Sequence, residues 1–167
     1  MHGIIPLYKP KGLTSHDCVQ KIRQLTRLKK VGHTGTLDPD VEGVLPICLG
    51  EATKVIPFLS DLPKTYVAEL YLGKATTTED ATGEVIAEKF VDQLPSDATI
   101  AKVFKQFTGE IKQQVPLYAA VKVKGKKLYE YARQNIPVER PVRNVTIYRL
   151  ERLPLSEETE PRIRFRV

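Results

Sequence analysis

Apolar runs in this chain are short and are broken often by Gly, Pro and polar residues. Ile4 to Tyr8 predicts a strand that Pro10 stops. Ser15 stands where an N-cap belongs, and Val19, Ile22, Arg23 and Leu25 follow at helical spacing to an end near Leu28. Val44 to Leu49 is apolar and strand-like, and Glu51 to Leu59 predicts a helix with an acid in its first turn. Lys64 to Leu72 alternates, with Tyr66, Ala68, Leu70 and Leu72 on one face and Val67, Glu69 and Tyr71 on the other. Lys74 to Gly83 is a polar, threonine-rich loop before a strand over Glu84 to Phe90. Ser96 caps a helix through Phe107 with a stripe of Ile100, Val103, Phe104 and Phe107. Ala119 to Val123 predicts a strand, Lys127 to Arg133 a short helix, and Arg143 to Leu153 a long strand. Ile163, Phe165 and Val167 alternate with Arg162, Arg164 and Arg166 up to the last residue, so more of the same fold is expected to follow. Strands and helices without a regular βαβ rhythm predict an α+β fold around a mostly antiparallel sheet flanked by helices.

Composition narrows the class. The 167 residues, 41% hydrophobic, suffice for a core in one domain. No apolar run approaches the roughly 20 residues of a membrane helix, and no signal-peptide pattern opens the chain. Cys18 and Cys48, two distant thiols, suit a reducing compartment, and a cytoplasmic location is expected. The net charge of +6 is unevenly spread. Residues 111–152 hold ten Lys or Arg against three Asp or Glu, whereas residues 61–110 hold five against nine. Lys122, Lys124 and Lys126 lie at the centre of the basic segment. They read either as a solvated face or as a patch that contacts phosphates.

Within this basic chain, Asp38 stands out. It lies in Gly32-His33-Thr34-Gly35-Thr36-Leu37-Asp38-Pro39, a loop that runs to Gly43. Pro39 stiffens the turn, and Gly32, Gly35 and Gly43 remove side chains around it. A carboxylate there can cap its own loop as an Asx turn, or it can act on a polyanion held by the basic surface. Other chemistries find no motif. There is no phosphate loop for nucleotide hydrolysis, no nucleophile elbow, and no deaminase zinc pattern. His16, Cys18, His33 and Cys48 match no common zinc spacing, so neither metal nor cofactor is expected.

Longer stretches carry a resemblance. Lys9-Pro10-Lys11-Gly12-Leu13-Thr14-Ser15, the loop of Asp38 continued through Gly43-Val44-Leu45-Pro46 to Gly50-Glu51-Ala52-Thr53-Lys54, and Lys64-Thr65-Tyr66 resemble successive motifs of the TruB family of tRNA pseudouridine-55 synthases. So do Thr78-Glu79-Asp80 with Gly83, Gln114-Val115-Pro116, Ala120-Val121-Lys122 with Gly125, and Tyr129, Ala132 and Arg133. The resemblance implies a pseudouridine synthase-like catalytic domain that acts without cofactor on the T loop of tRNA and needs no obligate protein partner. By it, Asp38 is the catalytic aspartate and Tyr66 the active-site tyrosine. His33 enters the T loop, Gly35 and Thr36 line the RNA, Lys9 supports the site, and Asp80 contributes to RNA contact or loop order. Read without the resemblance, Tyr66 is a core aromatic, His33 a loop histidine and Lys9 a surface charge.

The chain departs from the family's pattern in two places. Ala119 stands where a serine is usual. A further tyrosine and the arginine that pairs with the aspartate belong to a segment following the last strand, and a C-terminal PUA domain is common. Residues 1–167 are therefore expected to be the N-terminal part of a catalytic domain, with little activity alone. Two other readings stay open: a form that binds or helps fold tRNA without catalysis, and a guide-RNA-dependent enzyme acting on ribosomal RNA. Against the latter stands the expectation that nothing precedes the first motif.

Overall fold

A computed structural model describes residues 1–155 and 161–167. Contacts divide them into two units, Met1–Lys64 and Thr65–Val167.

The first unit is built on a three-stranded antiparallel sheet. Strand β1 (Gly3–Lys9) is followed by helix α1 (Ser15–Thr26), β2 (Val31–His33) and β3 (Gly43–Leu49). The order is β1-β3-β2, with Gly3 opposite Leu49, Lys9 opposite Gly43, and His33 opposite Ile47. A 3-10 segment (Gly50–Val55) and helix α2 (Ile56–Ser60) close the unit. Cys18 and Val19 of α1 bury against Val31, Leu45, Ile47 and Leu49, and Ile5, Leu7, Leu13, Ile22, Leu28 and Leu37 pack around them. Cys18 and Cys48 are free thiols, both buried.

The cap of α1 corrects the expected Ser15. Thr14 is the N-cap: its hydroxyl accepts from the Asp17 N–H at 3.0 Å, and the Asp17 carboxylate accepts the Thr14 N–H at 2.9 Å. The helix also ends at Thr26, earlier than predicted, with Arg27 left-handed at φ 56°. The predicted helix over 51–59 begins as a 3-10 turn, because Pro57 restricts the helix to its start at Ile56.

The second unit contains β4 (Val67–Tyr71), β5 (Lys74–Thr76), β6 (Val85–Glu88), α3 (Asp97–Phe107), β7 (Gly109–Gln114), β8 (Lys122–Val123), β9 (Lys126–Lys127), α4 (Leu128–Arg133), β10 (Val142–Ile147), β11 (Glu151–Leu153) and β12 (Arg162–Arg166). β11, β12 and β4 form one sheet in that order, while β10 pairs with β7, β5 with β6, and β8 with β9. Every strand pair among the described residues is antiparallel, in keeping with the expected α+β class. Ser96 caps α3 as predicted, accepting from the Thr99 N–H at 3.3 Å. The buried stripe of α3 is narrower than expected. Ile100 is buried and Phe104 meets Phe165 edge-on at 6.0 Å, but Val103 and Phe107 are exposed.

Three strand boundaries differ from the expectation. The long strand over 143–153 is two strands, since the chain pairs with β7 up to Ile147 and then joins β12 at Glu151. Only Lys122–Val123 of 119–123 is strand. The threonine-rich loop opens with a strand, β5. Among the described residues no helix is long and apolar enough to cross a membrane.

Candidate active site

Asp38 is exposed on a loop that is tied down on both sides of it. On one side, the Ser15 hydroxyl donates to the Leu37 carbonyl at 3.1 Å and accepts the Leu37 N–H at 2.9 Å. On the other, the Pro39 carbonyl accepts the Gly12 N–H at 2.8 Å. Between these anchors the Asp38 carbonyl accepts the Val41 N–H at 3.1 Å. Among the described residues of its own unit, the Asp38 carboxylate has no hydrogen-bond or ion-pair partner. The Asx-turn alternative is therefore not realised: the backbone of Asp38 makes the turn and its side chain stands free of it.

Lys9 lies beneath this loop and is fully buried, which overturns its reading as a surface charge. Its Nζ donates to the carbonyls of Leu13 at 2.8 Å, Pro10 at 3.0 Å and Pro39 at 3.4 Å. Three donors meet three acceptors, so the buried ammonium is satisfied. It also holds the residue that follows Asp38. The signal was present in the sequence: Ile5, Leu7 and Lys9 share the inward face of an alternating strand.

The glycines divide by role. A Cβ on Gly32 would come within 2.8 Å of Ile56 Cδ1, so this glycine serves packing inside the protein and leaves no space for a ligand. A Cβ on Gly35 would meet nothing within 4 Å, so the space beside Gly35 is open. Thr36 is exposed, and the neighbouring Thr34 is buried. His33 ends β2, and its Nδ1 is buried without a partner among the described residues.

The remaining predicted residues lie in the second unit. Tyr66 is 50% exposed, so it is not a core aromatic. Its backbone is fixed by a reciprocal pair with Val167, at 2.7 and 3.0 Å. The Asp80 carboxylate organises its own loop. One oxygen accepts from the Thr78 hydroxyl at 2.6 Å, the Thr82 hydroxyl at 2.6 Å and the Thr82 N–H at 2.8 Å. These bonds, that from Thr78 first, hold its pKa below the usual aspartate value. Glu79 beside it is left-handed at φ 63° and pairs with Arg140 at 3.2 Å.

Lys122, Lys124 and Lys126 do not share a face. Lys122 pairs across the hairpin with Lys127, and Val123 with Lys126, so Lys126 faces the opposite side from Lys122. Lys124 and Gly125 form the two-residue turn, left-handed at φ 49° and 87°, as a type I′ hairpin requires.

Comparison with known proteins identifies the family. Residues 23–167 match the family described as TruB family pseudouridylate synthase (N terminal domain). Proteins named tRNA pseudouridine synthase B are similar over nearly the whole chain. That of Oceanobacillus iheyensis is 57% identical over 158 residues, covering 95% of this chain and 52% of the relative. That of Geobacillus thermodenitrificans is 60% identical over 158 residues, with the same coverage. That of Halalkalibacterium halodurans is 56% identical and covers all of this chain and 56% of the relative. Among solved structures, the crystal structure of a Cbf5-Nop10-Gar1 complex is similar with a TM-score of 0.68 at 34% identity, over 98% of this chain and 38% of that one. The chain spans about half the length of the curated relatives it matches. With an exposed aspartate between two anchored neighbours and a family match over residues 23–167, the chain belongs to the TruB family of pseudouridylate synthases.

Proposed function

We propose that this chain carries the N-terminal part of the catalytic domain of a tRNA pseudouridine synthase that isomerises the T-loop uridine at position 55. The observation that carries the reading is the free carboxylate of Asp38, presented to solvent while Leu37 and Pro39 are both held by the protein. The reaction breaks the bond from N1 of uracil to the ribose, turns the base, and bonds C5 to the same ribose carbon. The C5 hydrogen leaves as a proton and N1 takes one up, so no oxidant, reductant or energy source is required. A carboxylate assists at the sugar, as nucleophile or as the base that leads to a glycal. The base must first leave its stack. By the resemblance, His33 is proposed to support the opened loop, and the exposed ring of Tyr66 to receive the extruded base.

The tRNA reading is favoured over an RNP-type enzyme by identity. Relatives named tRNA pseudouridine synthase B reach 60%, whereas the structure titled H/ACA RNP bound to a substrate RNA containing 2'-deoxyuridine stands at 30%. The test uses tRNA labelled with tritium at uridine C5, because turnover releases that label to water. In the full-length enzyme carrying this chain, Asp38→Asn abolishes release while tRNA affinity stays close to that of the unmodified enzyme. Retained release discards the role of Asp38. Binding without release by the unmodified enzyme favours the non-catalytic reading.

A further inference from the structure

Two cations converge on one ring in the second unit. Lys127 Nζ lies 5.3 Å from the centroid of the Tyr129 ring and 3.3 Å from its hydroxyl. Arg133 Cζ lies 5.3 Å from the same centroid, Tyr129 and Arg133 being four residues apart on α4. The two charges are thus no more than about 11 Å apart, close to the Debye length in about 0.1 M salt. Lys122 adds a third, directly opposite Lys127 in the hairpin. Like charges placed so are destabilising by themselves. Neither Lys127 nor Arg133 has an ion-pair partner among the described residues. Glu130, the acid within the helix, accepts the backbone N–H of Lys127 at 3.1 Å.

The cluster is held in place. Leu128 is fully buried between the two elements. The Leu128 N–H donates to the Val121 carbonyl at 2.8 Å, the Tyr129 N–H to Ala119 at 3.2 Å, and the Tyr131 hydroxyl to Val123 at 2.9 Å. A neutral ring lowers the energy of each cation but leaves the local charge uncompensated. What completes such an arrangement is an anion with several acceptor oxygens.

We propose that Lys127 and Arg133, positioned by Tyr129 and aided by Lys122, form a site for the phosphodiester backbone of the bound RNA. This rests on the functional reading above, and it assigns the phosphate contact to residues other than Lys124 and Lys126.

The test is equilibrium binding of a T-stem-loop RNA hairpin to the full chain over roughly 50–200 mM salt. The double variant Lys127→Gln/Arg133→Gln binds several-fold more weakly at the low end. Its slope of log K against log salt is smaller by roughly 0.7–0.9 for each phosphate released. Lys127→Arg/Arg133→Lys, which keeps both charges, restores the slope and separates lost charge from lost fold. Tyr129→Phe, which keeps the ring, binds as the unmodified chain does. If the unmodified chain binds the hairpin and the glutamine variant binds identically, this site is overturned and the functional reading stands. If the unmodified chain does not bind the hairpin, the functional reading falls and the site with it.

Discussion

Lys9 donates to three carbonyls from a position without solvent access, and one of the three belongs to Pro39, next to Asp38. Removing the ammonium leaves those part-buried carbonyls with fewer donors. Lys9→Met, which keeps the aliphatic stem, therefore costs about 1–3 kcal/mol of stability, seen as a lower midpoint in urea unfolding. On the proposed function, the same variant in the full-length enzyme lowers kcat more than it raises KM for tRNA, because it loosens the carbonyl after Asp38. An unchanged unfolding midpoint refutes the structural role. Gly32 and Gly35 make the complementary point. They look equivalent in sequence, yet one is filled by Ile56 and the other faces open space.

At the scale of elements, the loop over Thr78–Gly83 depends on one titrating group. The Thr78 and Thr82 hydroxyls and the Thr82 N–H all favour the ionised form of Asp80, so its folded pKa lies below the ordinary aspartate value of about 3.9. A depressed pKa stabilises the fold at pH values above the unfolded pKa, and that contribution disappears as pH falls through the folded one. An NMR titration of the Asp80 carboxyl carbon is expected to give a midpoint below that of an ordinary aspartate, and the Thr82 amide shift follows the same curve. A midpoint at or above the ordinary value removes the hydrogen-bonded account. Elements with strong local signals were legible in the sequence: β1, α1, β3 and α3 carry apolar periodicity, and α3 begins at its predicted cap. β2 was missed because it is three residues long and contains Gly32. β7 was missed because Lys112, Gln113 and Gln114 mask the apolar alternation, and its pairing with β10 comes from a distant stretch of chain. The choice of Thr14 over Ser15 turned on which hydroxyl reaches the Asp17 N–H, a matter of backbone direction invisible in a pair of similar side chains. The Asp38 loop was legible as a candidate site because its residue types are unusual together, whereas the grip of Ser15 and Lys9 on it comes from contacts between residues distant in the chain.

For the molecule as a whole, on the proposed function, charge sets how RNA is met. Net charge is +6, and residues 111–152 carry most of the excess. Because Lys122 and Lys126 point to opposite sides of their hairpin, one strand of RNA does not reach all three of Lys122, Lys124 and Lys126 at once. Their triple replacement by Ala is expected to flatten the salt dependence of tRNA binding by the one phosphate contact assigned to Lys122, roughly 0.7–0.9 in slope. A slope equal to that of the unmodified chain makes these lysines a solvated face. In the first unit, the Ser15 hydroxyl serves as both donor and acceptor to a residue 22 positions away. The start of a helix and the approach to Asp38 are thereby locked in register like two teeth of one gear. A change that removes the Ser15 hydroxyl therefore releases both the helix start and the approach to Asp38.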